Sequence, residues 1–180
     1  VMGPEEPTEL HGQRVTLRDW RPDDDALLTE LLHPDRSWHD TNGPYFGRPT
    51  VAEMDAHRGR LMELASTPPS TLPTPRESLA IESLVLGRLV GTVTWYWEDQ
   101  RTDWRRMGVI VYDDAARGTG IGREALSLWT SYLFATSDAL RLDLATYSGN
   151  AAMIAVARRL GFVDEGRFRR ARRWAGGVPP

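Results

Sequence analysis

The stretch DDAARGTGIGREAL, Asp113 to Leu126, sets Gly118, Gly120 and Gly122 within five positions and then passes directly into good helix formers. Glycines at the mouth of a helix serve three known chemistries. A nucleoside triphosphate loop needs G-x-x-x-x-G-K-[ST], and this chain contains no lysine. A dinucleotide fingerprint needs G-x-G-x-x-G inside a βαβ unit; the spacing here is G-x-G-x-G, which leaves that reading open but poorly matched. The third reading is R-x-x-G-x-G over Arg117, Gly120 and Gly122. Without Cβ atoms, backbone N–H groups can close on an oxyanion, the helix start adds roughly half a positive charge, and Arg117 adds a cation. A pyrophosphate suits such a bend, and a capped tight turn without ligand explains the same hexapeptide.

The flanking sequence supplies the frame. Upstream, ESLAIES and LVGTVTWYWED read as strands joined at Gly87, with Val93, Trp95 and Trp97 on one side, and WRRMGVIVYDD alternates as a third. Together they predict an antiparallel meander. Downstream, a helix is predicted from Ile121 to about Ser137, then a strand in ALRLDLATYS. A second helix follows, with Asn150 as cap, Met153, Val156, Ala157 and Leu160 on one face, and Gly161 as terminator. Nearer the start, RVTLRDW alternates as a strand, Asp23 or Asp24 caps a helix carrying Leu28, Leu31 and Leu32, and a further helix runs from Val51 to about Ser66 until the prolines of STPPSTLPTP end it. The order β, α, α, β, β, β, α, β, α, β predicts a mixed sheet with helices packed on it. Between the first two helices, residues 34–48 are rich in Pro, Gly and Asn yet carry Trp38, Tyr45 and Phe46, the composition of a loop that covers something.

Composition narrows the class. With 180 residues, 41% hydrophobic and 26% charged, the chain reads as a single globular domain over residues 1–180. A formal charge of -3 gives no general pull toward nucleic acid, and the arginines at 167, 169, 170, 172 and 173 read as a solvated face. The absence of cysteine excludes disulfides and thiol nucleophiles, and His11, His33, His39 and His57 lack a metal-binding spacing, so no metal is expected. No apolar run reaches the ~18 residues of a membrane span and the start is acidic, which predicts a cytoplasmic protein away from membranes.

The meander, R-x-x-G-x-G, Asn150, LGF at 160–162 and EGR at 165–167, with VTLRDWRPDD at 15–24, together resemble the GNAT superfamily of acetyl-CoA-dependent N-acetyltransferases, and within it the RimJ/RimL-like branch that acetylates ribosomal-protein N-termini. The likeness spans residues 13–174. It implies an α/β (α+β) fold with a mixed sheet of about six strands and four helices, and acetyl-CoA as co-substrate. In this family the strand before the glycine bend and the following parallel strand splay, and the pantetheine arm lies between them. Backbone amides of Val109, Ile110 and Val111 would then face the thioester. Those of Arg117, Gly118, Thr119, Gly120, Ile121 and Gly122 would wrap the pyrophosphate, and Asn150 would contact the pantetheine.

The resemblance also implies direct attack of a neutral amine on the acetyl carbonyl. Candidate bases are Glu82, Glu98 and Asp113. The acceptor, a peptide N-terminus or a small-molecule amine, would enter beside Trp38, His39, Tyr45 and Phe46 and the strand carrying Trp95 and Trp97, aromatics that core and lid packing explains as well, Trp95 and Trp97 above all. Many relatives have a proton-donating tyrosine or serine where this chain has Ala157 and Met153. Tyr147 and Ser148 could substitute. Their absence at the usual places keeps a non-catalytic acyl-CoA-binding module as the alternative. Relatives add another strand after R…W…G, whereas here RRWAGGVPP ends in prolines, so the last sheet edge is expected either to be short or to be filled by a partner chain in a homodimer.

Overall fold

The computed structural model describes residues 7–172. Six strands form one sheet in the order β1 (Glu9–His11), β2 (Val15–Arg18), β3 (Ser78–Ser83), β4 (Arg88–Asp99), β5 (Trp104–Val111) and β6 (Leu142–Asp143). Neighbours are antiparallel except the last pair, β5 and β6, which run parallel. Helices α1 (Asp25–Leu31) and α2 (Val51–Ser66) lie between β2 and β3 in the chain, α3 (Ile121–Thr136) precedes β6, and α4 (Ala151–Arg159) follows it.

Period-two alternation divides the core. Leu79, Ile81, Val93 and Met107 pack with Val15, Leu17 and the α3 residues Ile121, Ala125, Leu126, Trp129 and Leu133. Their neighbours Ala80, Ile110 and Tyr112 turn to the other face, against Leu28, Leu31, Leu32, Trp38 and Leu61 of the α1–α2 side. Trp129 is fully buried, and its indole donates to the Thr94 carbonyl at 3.0 Å, so its one polar atom is satisfied.

Local signals set the helix ends. Thr50 and Glu53 form a reciprocal capping box at α2. Asn150 accepts from the Met153 amide at 3.1 Å, and Gly161, at φ 87°, ends α4. The start of α1 differs from expectation. A 3-10 turn, Pro22–Asp24, precedes it, and the Asp24 carboxylate is taken by the buried guanidinium of Arg18 at 2.9 and 2.8 Å and by the Arg21 amide. A buried cation needs that counter-ion more than the helix needs a cap.

Two further differences concern short strands. β1 was not expected. The strand predicted in ALRLDLATYS pairs only as Arg105↔Leu142 and Arg106↔Asp143, because β5 and β6 part beyond those residues. Residues 162–172 form no strand, so β6 is the sheet edge among the described residues; Arg173 and the terminal prolines lie outside them. No helix of the described residues is long and apolar enough to cross a membrane.

Candidate active site

The gap between β5 and β6 opens where their ladder stops. The Tyr112 amide donates to the Val90 carbonyl at 2.8 Å, so strand alternation turns the amides of Val111 and Val109 away from β4, toward the gap, and commits that of Ile110 to the ladder opposite Thr92. Two of the three expected strand amides therefore face open space.

The glycine bend sits at the end of the same strand. Asp113 accepts from the Ala115 amide at 3.0 Å and caps a 3-10 turn, Asp114–Ala116; Thr119 then donates its hydroxyl to the Ala116 carbonyl at 2.6 Å. Gly118 and Gly120 follow at φ 73° and 91°, left-handed values that side chains rarely adopt, and Gly120 caps α3. Among the described residues no amide from Gly118 to Arg123 donates to a protein acceptor. This row of unpaired donors at the positive end of a sixteen-residue helix fits a diphosphate.

Arg117 is turned to other work. Its Nε donates to the Val111 carbonyl at 3.2 Å, and Nη1 donates to Ser37 Oγ at 3.0 Å and pairs with Asp114 at 3.2 Å. Ser37 begins a 3-10 turn, Ser37–Thr41, in the loop between α1 and α2. The far end of that turn reaches the other bank: Tyr147 Oη donates to the Asp40 carbonyl and Asn150 Nδ2 to that of Thr41, both at 3.3 Å. The turn is thus a strap across the mouth of the gap, tied at one side to Arg117 and at the other to Asn150. Ser148 is exposed beside Tyr147.

The aromatic loop divides in two. Trp38 and His39 are buried, with Trp38 against Tyr112 at 5.0 Å and donating to the Leu31 carbonyl, and His39 stacked on Trp38 at 3.7 Å with Nε2 at 3.2 Å from the His33 carbonyl. Burial lowers the His39 pKa, so the ring is a neutral packing element. Tyr45 and Phe46 stay at the surface, edge to face at 4.8 Å, with the Arg172 guanidinium over both.

The carboxylates separate by position. Glu82 lies on β3, two strands from the gap, paired with Arg18 and, at 3.5 Å, Arg21. Asp113 is occupied by its cap and by Arg88 at 2.7 Å. Glu98 has no partner residue in the β4–β5 register, the extra residue of a bulge, and such bulges re-aim side chains. Its Oε2 accepts from Arg106 Nη1 at 2.8 Å. Trp97, expected at the acceptor, shares the α3 side of the sheet with Val93 and Trp95, where Arg105 covers its ring at 4.6 Å. Tyr96 takes the other side, 53% exposed; no motif marks it.

Arg106 also fastens the apex of the gap. Nε and Nη2 bond the two Asp143 oxygens at 2.8 and 3.0 Å, and Trp104 Nε1 donates to the same carboxylate at 2.6 Å. Burial opposes ionisation of Asp143, but these donors outweigh it and hold its pKa below the usual carboxylate value. A group depressed in the folded state stabilises the fold above its unfolded pKa and loses that contribution as pH falls through its folded pKa. Acid titration of thermal stability below about pH 4 is expected to be shallower for Asp143→Asn than for the natural chain.

Comparison with known proteins identifies the family and finds the same fold. The acetyltransferase (GNAT) domain family model matches residues 14–163. An acetyltransferase (GNAT family) from Bacillus anthracis superposes with TM-score 0.67 at 14% identity, over 88% of this chain and 86% of that one. RimL, the ribosomal L7/L12 alpha-N-protein acetyltransferase, gives 0.69 at 17% in complex with coenzyme A, over 94% and 92%. The ribosomal-protein-S5-alanine acetyltransferase from Vibrio fischeri gives 0.68 at 18%, over 88% and 85%. With the family matched across most of its length, an open mixed sheet and a β5–β6 gap leading to unpaired amides, this chain belongs to the GNAT acetyltransferases, with acetyl-CoA as its acyl donor.

Proposed function

We propose that the chain transfers the acetyl group of acetyl-CoA directly to a primary amine, either a peptide N-terminus or a small-molecule amine. The observation that carries this is the continuity of free donors: Val109 and Val111 along the gap, then the amides of Gly118 to Arg123. The strand amides hold the acyl carbonyl and its developing charge, the bend amides hold the diphosphate, and Asn150 lines the path between them. The strap of Ser37–Thr41 closes over the bound arm. RimL and the S5 enzyme act on ribosomal proteins by name, which puts peptide N-termini first among acceptors to try.

Glu98 is the base in this proposal, since it alone of the three candidates sits on the strand beside β5 with its second oxygen unpaired among the described residues. Tyr147, at the far bank, is the donor to the departing thiolate. An α-amino group, with a pKa near 8, is partly neutral at cellular pH, so the base contributes most at lower pH. Glu98→Gln is expected to lower kcat about 10²-fold at pH 7 and to approach the parent rate as pH rises past the amine pKa.

Thiol release measured with acetyl-CoA over a panel of amines and N-terminal peptides tests the proposal. Amine-dependent release supports it. Tight CoA binding without turnover on any acceptor would favour the binding module instead, the reading that Ala157 and Met153 permit. The short outer edge of β6 is the surface on which a second copy would pair, and a monomeric mass in light scattering would contradict a homodimer.

A further inference from the structure

The bend is expected to draw its cation from Arg117, yet Nε and Nη1 of that guanidinium are held by Val111, Ser37 and Asp114, and only Nη2, buried, has no partner among the described residues. A cation against the bend comes from 105 residues earlier in the chain. Arg14, in the turn between β1 and β2, donates Nη1 to the Thr119 carbonyl, and the same nitrogen lies 3.2 Å from where a Gly120 Cβ would stand. Its position is built rather than incidental. Glu124, in the first turn of α3, accepts from the amides of Gln13 and of Arg14, the latter at 2.9 Å, and fixes the β1–β2 turn to the helix start. Both amides bond one oxygen of that carboxylate, Oε1. Gly12 permits this approach, because a Cβ there would fall 2.1 Å from Glu124 Oε1. Among the described residues Arg14 has no carboxylate partner and a single acceptor, so most of its N–H donors face solvent beside the row of free amides.

We propose that Arg14 binds a phosphate of acetyl-CoA, acting as the solvent-facing cation of the bend. The inference rests on the acetyl-CoA reading above. The backbone tether and the Nη1 bond to the Thr119 carbonyl place the guanidinium beside the bend, and a charge-assisted bond to phosphate is among the stronger polar contacts. The anion is either the diphosphate or the ribose 3′-phosphate, and dephospho-CoA separates them.

The test is calorimetric titration of the full chain and of Arg14→Gln with CoA and with dephospho-CoA at two salt concentrations. Glutamine keeps an N–H donor for the Thr119 carbonyl but no charge, and matching unfolding temperatures would show that the tether survives. Arg14→Gln is expected to weaken CoA about tenfold or more and to flatten the salt dependence of its affinity. An equal loss with dephospho-CoA places the cation on the diphosphate; a loss confined to CoA places it on the 3′-phosphate. Unchanged CoA affinity, or a loss with unchanged salt dependence, would overturn the proposal and leave Arg14 a strut. If the parent chain bound neither ligand, the acetyl-CoA reading itself would fall, a result distinct from parent and variant binding alike.

Discussion

Gly91→Ala is expected to lower the unfolding temperature by about 10 °C. Gly91 pairs with Val111 where β5 approaches the bend, and a Cβ there would stand 2.2 Å from the Ile110 carbonyl oxygen and 3.1 Å from the Val111 Cα. Both are backbone atoms of a central ladder, so no side chain can swing aside. Relief requires pushing β5 toward the gap, at about 3 kcal/mol. A chain of this size loses about 2–4 °C for each kcal/mol. Thermal unfolding followed by circular dichroism reads the shift, and a change of under about 2 °C would mean that β4 and β5 are not packed as described. The surviving folded protein should also bind CoA less well, because the strand that would shift carries the Val109 and Val111 amides.

Gly118→Asp should do the reverse, leaving stability nearly untouched while abolishing cofactor binding. Nothing lies within 4 Å of a Cβ built on Gly118, and aspartate tolerates its left-handed φ better than most residues, at about 1 kcal/mol. The new carboxylate adds negative charge in the open space over the bend, beside the unpaired amides, and the helix N-terminus favours it there. Stability should stay within a few degrees. CoA affinity should fall about 10³-fold from like-charge repulsion and competition for the same donors. Retained affinity would show that the diphosphate lies elsewhere.

The contrast between these positions explains what the sequence makes legible. The bend, the Thr50–Glu53 box and the Asn150 cap are local: each depends on residues within a few positions, and the spacing displays them. The meander reads well because alternating Val, Trp and Met mark its buried side; the same alternation, counted from Val93, already places Trp97 on the α3 face. Long-range partnerships leave no such trace. Glu82 resembles Glu98 until Arg18, 64 residues away, occupies it. Arg14 sits in no motif, and only the Glu124 tether, 110 residues distant, brings it to Thr119. Leu140, Leu142 and Leu144 alternate like a longer strand, but a ladder needs two partners, and β5 has already diverged. The aromatic loop shows the same limit: Trp38 and Tyr45 look alike in sequence, and burial against Tyr112 alone separates a core residue from a surface one.

The most direct test of the whole account is a nuclear magnetic resonance titration of the ¹⁵N-labelled chain with CoA. Shifts concentrated on the amides of Val109, Val111 and residues 118–123, with smaller changes at Ser37–Thr41 as the strap adjusts, are the predicted result. Saturable binding whose shifts avoid the bend and the β5 edge, or no shifts at millimolar CoA, would contradict it.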